Sequence, residues 1–249
     1  MGSQQARLDG RVAIVSGASA GVGAATARAL AAAGARVALV ARRRERLEAL
    51  AAEIGGGASV HAADLYDPSA LAGVVADVAR RHGRLDILVN NAGSMLSSPL
   101  RSADPADLRR MTDLNFLTPV LAARAAIEPM RATGGGHLVF IGSLGARFCT
   151  PGNAVYAGVK SAIHVFAETL RKELIADGTR VTTILPGFVA TEITAHIPDA
   201  TMKASFEQFM GSMTPLSPAD IAAAILYAVT QPPRVSPTEI VVRPTTQPN

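Results

Sequence analysis

Short apolar segments and longer stretches with a helical pattern alternate along this chain of 249 residues. The apolar segments are rich in Val, Ile and Leu and mostly lack the apolar–polar alternation of a half-exposed strand, so each should be buried on both faces. We expect strands at residues 11–16, 36–41, 59–64, 87–90, 137–142, 181–185 and 239–242.

The helical patterns lie between these strands, and we expect helices near residues 22–33, 44–54, 69–82, 105–131, 154–177 and 218–230. Such alternation implies right-handed crossovers and an α/β fold with a doubly wound, seven-stranded parallel sheet that carries helices on both faces. No shift in composition marks a boundary, so residues 1–249 should form a single domain. Residues 188–214 break the rhythm, and we expect an insertion that acts as a substrate lid.

Composition narrows the class of protein. Hydrophobic residues make up 49% of the chain but aromatic residues only 4%, so the core must be built from Ala, Val, Leu and Ile. The net charge is only +4, and the basic residues are scattered apart from the run Arg42, Arg43, Arg44 and Arg46. A nucleic-acid site needs a basic stripe with stacking aromatics, which is missing, so this cluster better suits one phosphate-sized anion.

The sequence also gives little support for a metal site or a membrane segment. Cys149 is the single cysteine, which excludes an internal disulfide and a thiolate metal site, and the five histidines are isolated from one another. The first residues lack an apolar signal core, and no apolar run reaches 18 residues. We therefore expect a cytoplasmic protein with no metal, no nucleic acid and no membrane among its partners.

A glycine-rich turn follows the first predicted strand. Gly17, Gly21 and Gly23 precede or open a predicted helix, with Ser19 and Val22 between them. Glycines here let the backbone approach a pyrophosphate at the amino end of the helix. The spacing is G-x-x-x-G-x-G rather than G-x-G-x-x-G, and a merely tight turn is the alternative interpretation.

The end of the second strand carries information on the cofactor. An acidic residue there would accept hydrogen bonds from an adenosine ribose and repel a 2′-phosphate, but Ala41 is followed by Arg42 and Arg43. Guanidinium groups bind phosphate with two hydrogen bonds. We therefore expect NADP(H) rather than NAD(H); the alternative is a solvated start to the next helix.

Three further residues suggest acid–base chemistry. Tyr156 and Lys160 are four residues apart and would share one face of a helix, where the ammonium would lower the pKa of the phenol. Ser143 ends a strand thirteen residues earlier and could return to the same site. A Tyr-x-x-x-Lys pair on its own is more often an exposed surface pair.

Taken together, these residues resemble the short-chain dehydrogenase/reductase family over essentially the whole chain. The elements that carry the resemblance are Gly17/Gly21/Gly23, Asp64, Asn90-Asn91-Ala92-Gly93, Asn115, Ser143, Tyr156, Lys160, and Pro186-Gly187 with Thr191. The resemblance implies a Rossmann-type fold and a nicotinamide cofactor. Ser16 departs from the pattern, since many relatives have Thr there, although its hydroxyl could form the same internal hydrogen bond.

The resemblance also implies roles for single residues. Tyr156 would be the general acid in reduction and the base in oxidation, Lys160 would bind the nicotinamide ribose and lower the tyrosine pKa, Ser143 would orient the substrate oxygen, and Asn115 would hold a water next to Lys160. The implied cofactor-binding residues are Gly17, Ser19, Gly21, Val22, Gly23, Arg42, Arg43, Asp64, Leu65, Asn91, Ala92, Gly93, Tyr156, Lys160, Pro186, Gly187, Val189 and Thr191.

Substrate contacts are expected from Met95, Leu144, Phe148, Asn153 and Phe188. Arg147 could anchor a substrate carboxylate or form a structural salt bridge, and His196 could line the pocket or lie on the surface. Residues 153–156 and 239–245 resemble a bacterial NADP-dependent subgroup that includes 3-hydroxy acid dehydrogenases and clavulanate dehydrogenase.

The expected function is that of a ketone or aldehyde reductase, or of an alcohol dehydrogenase, with secondary-metabolite biosynthesis as one expected setting. The expected assembly is a homodimer or homotetramer. A redox-silent NADP-binding sensor or interaction protein is the alternative. A sugar-nucleotide epimerase or dehydratase fits less well, because few residues remain for its larger substrate domain.

Overall fold

The computed structural model describes residues 7–211 and 213–247, and within these ranges seven strands form one parallel sheet. The strands are β1 Val12–Ser16, β2 Arg36–Ala41, β3 Ser59–Ala62, β4 Ile87–Asn90, β5 His137–Ile141, β6 Arg180–Pro186 and β7 Glu239–Val242. Their order is β3-β2-β1-β4-β5-β6-β7. The predicted doubly wound, seven-stranded parallel sheet is confirmed. The expectation about a signal segment falls mainly on residues 1–6, outside the described ranges.

Helices cover both faces of the sheet. They are α1 Gly21–Ala32, α2 Arg44–Ile54, α3 Pro68–His82, α4 Pro105–Thr112, α5 Thr118–Ala132, α6 Ala154–Glu173, α7 Ala200–Gly211 and α8 Pro218–Thr230. One core layer contains apolar residues of α3, α5 and α6, and the other contains those of α1, α2 and α8. Successive residues of β1 enter different layers, Ile14 the first and Val15 the second. Burial on both faces explains why the strands read as continuous apolar runs.

The single helix predicted over residues 105–131 is wrong. The chain instead forms α4, a π-helical turn at Asp113–Leu117, and α5. Pro119 lacks the N–H that an α-helix would direct to the carbonyl of Asn115, which favours a wider turn at this point. The apolar pattern runs through both helices and therefore did not reveal the break.

Two other predicted boundaries shift by two or more residues. The helix expected to reach residue 177 ends at Glu173. The strand expected over 59–64 ends at Ala62, where its pairing with Ala41 ends, so Asp64 lies in the following loop. None of the described helices is long and apolar enough to cross a membrane.

The segment 188–214 lies outside the sheet and is partly helical, containing a 3₁₀ helix at Glu192–His196 and then α7. Its two ends are joined, because the Ala190 N–H donates to the Leu216 carbonyl at 2.8 Å and the Leu216 N–H donates to the Phe188 carbonyl at 2.9 Å. The segment therefore leaves and rejoins the body of the protein at one place.

A buried carboxylate fixes the amino ends of the central strands. Asp86 is only 3% exposed and accepts hydrogen bonds from the Val12 N–H at 2.8 Å, from Arg11 at 2.7 Å and from Arg84 at 2.7 and 2.8 Å. Burial raises the pKa of Asp86, but the hydrogen bonds from Arg84, Val12 and Arg11 outweigh it and hold this pKa below its ordinary value.

We predict that Asp86→Asn lowers the free energy of unfolding by about 2 kcal/mol at pH 7, because the charged hydrogen bonds from Arg11 and Arg84 are lost. The folded-state pKa of Asp86 is depressed, so its contribution is present above pH 3.8 and is lost as the pH falls through the folded value. Urea denaturation should therefore show a difference that shrinks in acid.

The control is Asp77→Asn, which removes exposed pairs with Arg80 and Arg81 and should cost less than about 1 kcal/mol. Equal losses in the two variants at pH 7 would contradict the anchoring role of Asp86.

Candidate active site

A cavity of about 850 Å³ opens at the carboxyl ends of the strands. Loops that follow β1, β2, β4, β5 and β6 all contribute to its lining. The strand order reverses between β1 and β4, so the loops after these two strands diverge and leave a crevice, which is the usual ligand site of an open α/β sheet. The volume lies in the range typical of ligand pockets.

The glycine-rich turn forms one wall of this cavity, and two of its glycines are needed for close packing. Gly17 has φ of +69°, and a Cβ atom there would lie 2.8 Å from Asn91 Nδ2. A Cβ atom on Gly23 would overlap the carbonyl oxygen of Gly17. Gly17, Ser19, Gly21 and Val22 line the cavity, whereas Gly23 stands behind the turn.

Ser16 connects this turn to the loop after β4. Its hydroxyl accepts hydrogen bonds from the N–H groups of Asn91 at 2.9 Å and Ala92 at 3.0 Å and donates to the Val89 carbonyl at 3.2 Å. The Asn91 side-chain amide donates to the Ser16 carbonyl at 2.8 Å. The internal hydrogen bond expected of a hydroxyl at position 16 is therefore present.

Arg42 and Arg43 both line the cavity, as the sequence suggested, but they are held differently. Arg42 is about half exposed, with its guanidinium 5.1 Å from the centre of the Tyr66 ring and 4.0 Å from a carboxylate oxygen of Asp64. Arg43 donates from Nε to the Ser19 hydroxyl at 3.0 Å and from a terminal nitrogen to Glu192 at 2.8 Å.

Ser143, Tyr156 and Lys160 come together on the cavity wall, although the last two are only 8% and 5% exposed. The Ser143 hydroxyl lies close enough to the Tyr156 phenol to affect its pKa, and it accepts a hydrogen bond from the Gly145 N–H at 3.0 Å. The Lys160 ammonium donates to the Ile141 carbonyl at 2.8 Å. The pair on α6 is thus no exposed surface pair.

Burial dominates the electrostatics of the two α6 residues. It lowers the pKa of Lys160 to about 8. It also raises the pKa of Tyr156, and the interaction with the Ser143 side chain offsets only part of that rise. The expected lowering of the tyrosine pKa is therefore wrong, because desolvation of the phenolate outweighs the stabilising contacts. A protonated phenol at neutral pH suits a proton donor.

Asn115 lies behind the cavity wall in the π-helical turn. Its amide nitrogen donates to the carbonyls of Ser94 at 2.9 Å and Met111 at 2.8 Å. Its oxygen is buried without a hydrogen-bond partner among the described residues, and a Cβ atom on Gly93 would lie 2.7 Å from it and 3.6 Å from Lys160 Nζ. The Asn115 oxygen and the Lys160 ammonium therefore face the same space beside Gly93.

The other predicted residues also reach the cavity. It is lined by the cofactor candidates Asp64, Leu65, Asn91, Ala92, Gly93, Pro186, Gly187, Val189 and Thr191, by the substrate candidates Met95, Leu144, Phe148, Asn153 and Phe188, and by His196. Arg147 is absent from this lining and forms an ion pair with Glu239 at 2.5 Å, which supports the salt-bridge alternative.

The lining residues that the sequence analysis missed include Tyr66, Glu192 and Gln247. Gln247 accepts a hydrogen bond at 3.1 Å from the N–H of Phe188, which lies 59 positions earlier in the sequence. No local sequence pattern predicts such a contact. Tyr66 could have been proposed from its position two residues after Asp64. The described residues contain no group of three or more metal-ligating side chains.

Residues 11–201 match the family described as short chain dehydrogenase. The chain belongs to the short-chain dehydrogenase family. An uncharacterized oxidoreductase of Staphylococcus aureus strain USA300 is 35% identical over 238 residues, which cover 95% of this chain and 98% of that protein. The resemblance inferred from the sequence is confirmed, and this short-chain dehydrogenase is an oxidoreductase.

Solved structures agree with the fold. A metagenomic short-chain oxidoreductase in complex with NADP has a TM-score of 0.80 at 34% identity, covering 95% of this chain and 98% of its own. The closed form of a serine dehydrogenase complexed with NADP⁺ has a TM-score of 0.88 at 30% identity, covering 96% of each chain. The subgroup suggested by residues 153–156 and 239–245 stays a prediction.

We predict that Lys160→Met stabilises this short-chain dehydrogenase at pH 7 by about 2 kcal/mol, since a buried charge is removed at the expense of one hydrogen bond to Ile141. The folded pKa of Lys160 is about 8 against 10.5 ordinarily, so the unfolded chain holds more protons between these values. The folded state of the unsubstituted protein therefore gains stability as the pH rises from about 8 to 10.5.

The advantage of Lys160→Met should accordingly shrink between pH 8 and 10.5, as measured by denaturant titration at both ends. Lys172→Met, on the exposed side of the same helix, is the control and should change stability little. A Lys160→Met variant that is less stable at pH 7 would show that the ammonium is not penalised by burial.

Proposed function

We propose that this enzyme reduces a ketone or aldehyde, or oxidises the corresponding alcohol, with NADP(H) as cofactor. The observation that carries the proposal is the meeting of Ser143, Tyr156 and Lys160 on the wall of a cleft that continues to the glycine-rich turn. Carbonyl reduction requires acid–base residues and a cofactor-binding turn that face one cavity.

The residues present fit a dinucleotide. The turn at Gly17 brings its backbone to the cavity at the amino end of α1, where a pyrophosphate is stabilised by backbone N–H groups. Arg42, Arg43 and Ser19 would hold the 2′-phosphate, with Asp64 and Leu65 beside the adenine. The remaining contacts would come from Gly21, Val22, Asn91, Ala92, Gly93, Pro186, Gly187, Val189 and Thr191, with Gly23 supporting the turn. The two solved relatives whose complexes contain NADP or NADP⁺ support this choice.

The protein's own groups then have distinct tasks. A bound nicotinamide would supply the hydride for the carbonyl carbon in reduction and would take up the hydride from the alcohol in oxidation. Tyr156 donates its phenolic proton to the carbonyl oxygen in reduction, and its raised pKa keeps that proton in place at neutral pH. Ser143, whose hydroxyl lies near the Tyr156 phenol, orients the same oxygen.

Lys160 and Asn115 would serve the proton supply. The ammonium of Lys160 stabilises the phenolate that forms when Tyr156 gives up its proton, and its hydrogen bond to Ile141 fixes its position. The buried oxygen of Asn115 faces the same space as this ammonium, which suits a water held between them. Protons could then return to Tyr156 without opening the cleft.

The substrate end of the cleft is apolar and favours an uncharged substrate with a hydrophobic body. Phe188 packs against Phe206 with ring centres 5.5 Å apart and against Phe209 at 4.9 Å, and α7 also contributes Met202 and Met210. Arg147, which could have anchored a carboxylate, is paired with Glu239. We propose that residues 188–214 act as the substrate lid, hinged where Phe188 and Ala190 pair with Leu216.

We predict that Tyr156→Phe lowers kcat at least a hundredfold, because the proton donor is lost, while the Kd for NADPH changes less than twofold. NADPH oxidation and cofactor fluorescence titration measure the two quantities. Tyr227→Phe on α8, an exposed tyrosine outside the cavity lining, is the matched control and should behave like the native enzyme.

Unchanged turnover in Tyr156→Phe would overturn the proton-donor role. A native enzyme that binds NADPH but turns over no carbonyl in a broad panel would instead favour the redox-silent sensor.

We further predict that kcat/KM is highest for uncharged ketones with a hydrophobic group and at least tenfold lower for matched keto acids, since a carboxylate would be desolvated among Phe188, Phe206 and Met202. Steady-state assays over matched pairs, each with NADPH and with NADH, test the substrate class and the cofactor together. A preference for the keto acid would support the hydroxy acid dehydrogenase subgroup instead.

A further inference from the structure

A carboxylate of the 188–214 segment holds two arginines at the start of α2. Glu192 accepts hydrogen bonds from Arg43 at 2.8 Å and from Arg46 at 3.0 Å. These hydrogen bonds from Arg43 and Arg46 lower the pKa of Glu192, so it is ionised at neutral pH. The Arg43–Glu192 ion pair joins residues that are 149 positions apart in the sequence. It connects the segment after β6 to the loop after β2 across the mouth of the cleft.

Arg43 is therefore shared. One of its nitrogens donates to Ser19 of the glycine-rich turn and another donates to Glu192, and all three residues line the cavity. Arg46 holds the other oxygen of Glu192 but does not line the cavity. Any anion that binds beside Ser19 and Arg43 therefore lies close to the negatively charged Glu192 carboxylate.

We propose that Glu192 competes with the 2′-phosphate of the cofactor for Arg43 and so determines how strongly the enzyme prefers phosphorylated over unphosphorylated adenosine. This inference rests on the proposed use of NADP(H). A phosphate at this point carries up to two negative charges, and a carboxylate a few ångströms away repels it while occupying a guanidinium donor. Arg46 keeps Glu192 in place when Arg43 turns to the phosphate.

The competition acts on the 2′-phosphate alone. An adenosine ribose with a free 2′-hydroxyl brings no charge to Arg43 and leaves the ion pair with Glu192 intact. Removing the charge of Glu192 should therefore change the affinity for 2′-phosphorylated ligands and leave the others alone, which a general structural role of Glu192 would not do.

The test uses calorimetric titration with adenosine 2′,5′-bisphosphate and with adenosine 5′-monophosphate, followed by NADPH and NADH. Glu192→Gln should tighten binding of the bisphosphate and of NADPH about fivefold, the effect of one charge in a half-exposed setting. The Kd values for the other two ligands should change less than twofold. Circular dichroism confirms that each variant is folded.

Three further variants complete the experiment. Glu48→Gln removes another exposed α2 ion pair, with Arg44 at 3.5 Å and outside the cavity lining, and should leave all four Kd values unchanged. In an Arg43→Gln background, which itself should weaken the bisphosphate, Glu192→Gln should tighten binding less than in the native enzyme, because only the direct repulsion between carboxylate and phosphate remains to be removed.

Weaker binding of the bisphosphate to Glu192→Gln, or the same tightening in the Arg43→Gln background, would overturn the competition. An Arg43→Gln effect without any Glu192→Gln effect would also overturn it while leaving the NADP(H) proposal standing. Equal affinity of the native enzyme for both adenosine ligands, unchanged in Arg43→Gln, would instead overturn the NADP(H) proposal itself.

Discussion

The hydroxyl of Ser16 joins the two loops between which the cleft opens. It accepts from Asn91 and Ala92 and donates to Val89, so the ends of β1 and β4 are held together where the strand order reverses. A crevice forms at this point because the chain turns to β2 on one side and to β5 on the other. The glycine-rich turn, the Asn91 loop and the residues beyond β5 then face one space with little freedom to separate.

Within that space, the groups suited to acid–base chemistry are buried in a way that lowers the stability of the folded protein. The ammonium of Lys160 and the phenol of Tyr156 are almost completely buried, which is unfavourable for a charge, and both pKa values shift toward the neutral form. Asp86, at the opposite ends of the strands, is equally buried but is satisfied by two arginines and a backbone N–H. A fully paired carboxylate thus lies at the amino ends of the strands, whereas an ammonium that is destabilised by burial lies near their carboxyl ends. Active sites commonly retain such local instability.

The sequence predicted the fold well because local patterns determine it. Runs such as residues 12–15 have no apolar–polar alternation, which indicates burial on both faces of the sheet. The alternation of strands and helices then predicts a doubly wound parallel sheet. Most site residues were also predictable, since loops at the carboxyl ends of parallel strands meet and their spacing matches the family. The π-helical turn was not, because its cause is a single missing N–H at Pro119 within a continuous apolar pattern. Glu192 and Gln247 were missed since their partners lie far away in the sequence, and the pKa of Tyr156 depends on burial that only the packed structure reveals.

The closed base of the 188–214 segment has a consequence for how this enzyme could change over evolutionary time. Phe188 and Ala190 meet Leu216, so the chain between them begins and ends at one point of the surface. Residues in this span can be exchanged or lengthened without altering the register of β6 or β7, because the junction absorbs the difference. Selectivity for new molecules can therefore be acquired by changing this one segment, while the scaffold that positions Ser143, Tyr156 and Lys160 is inherited unchanged.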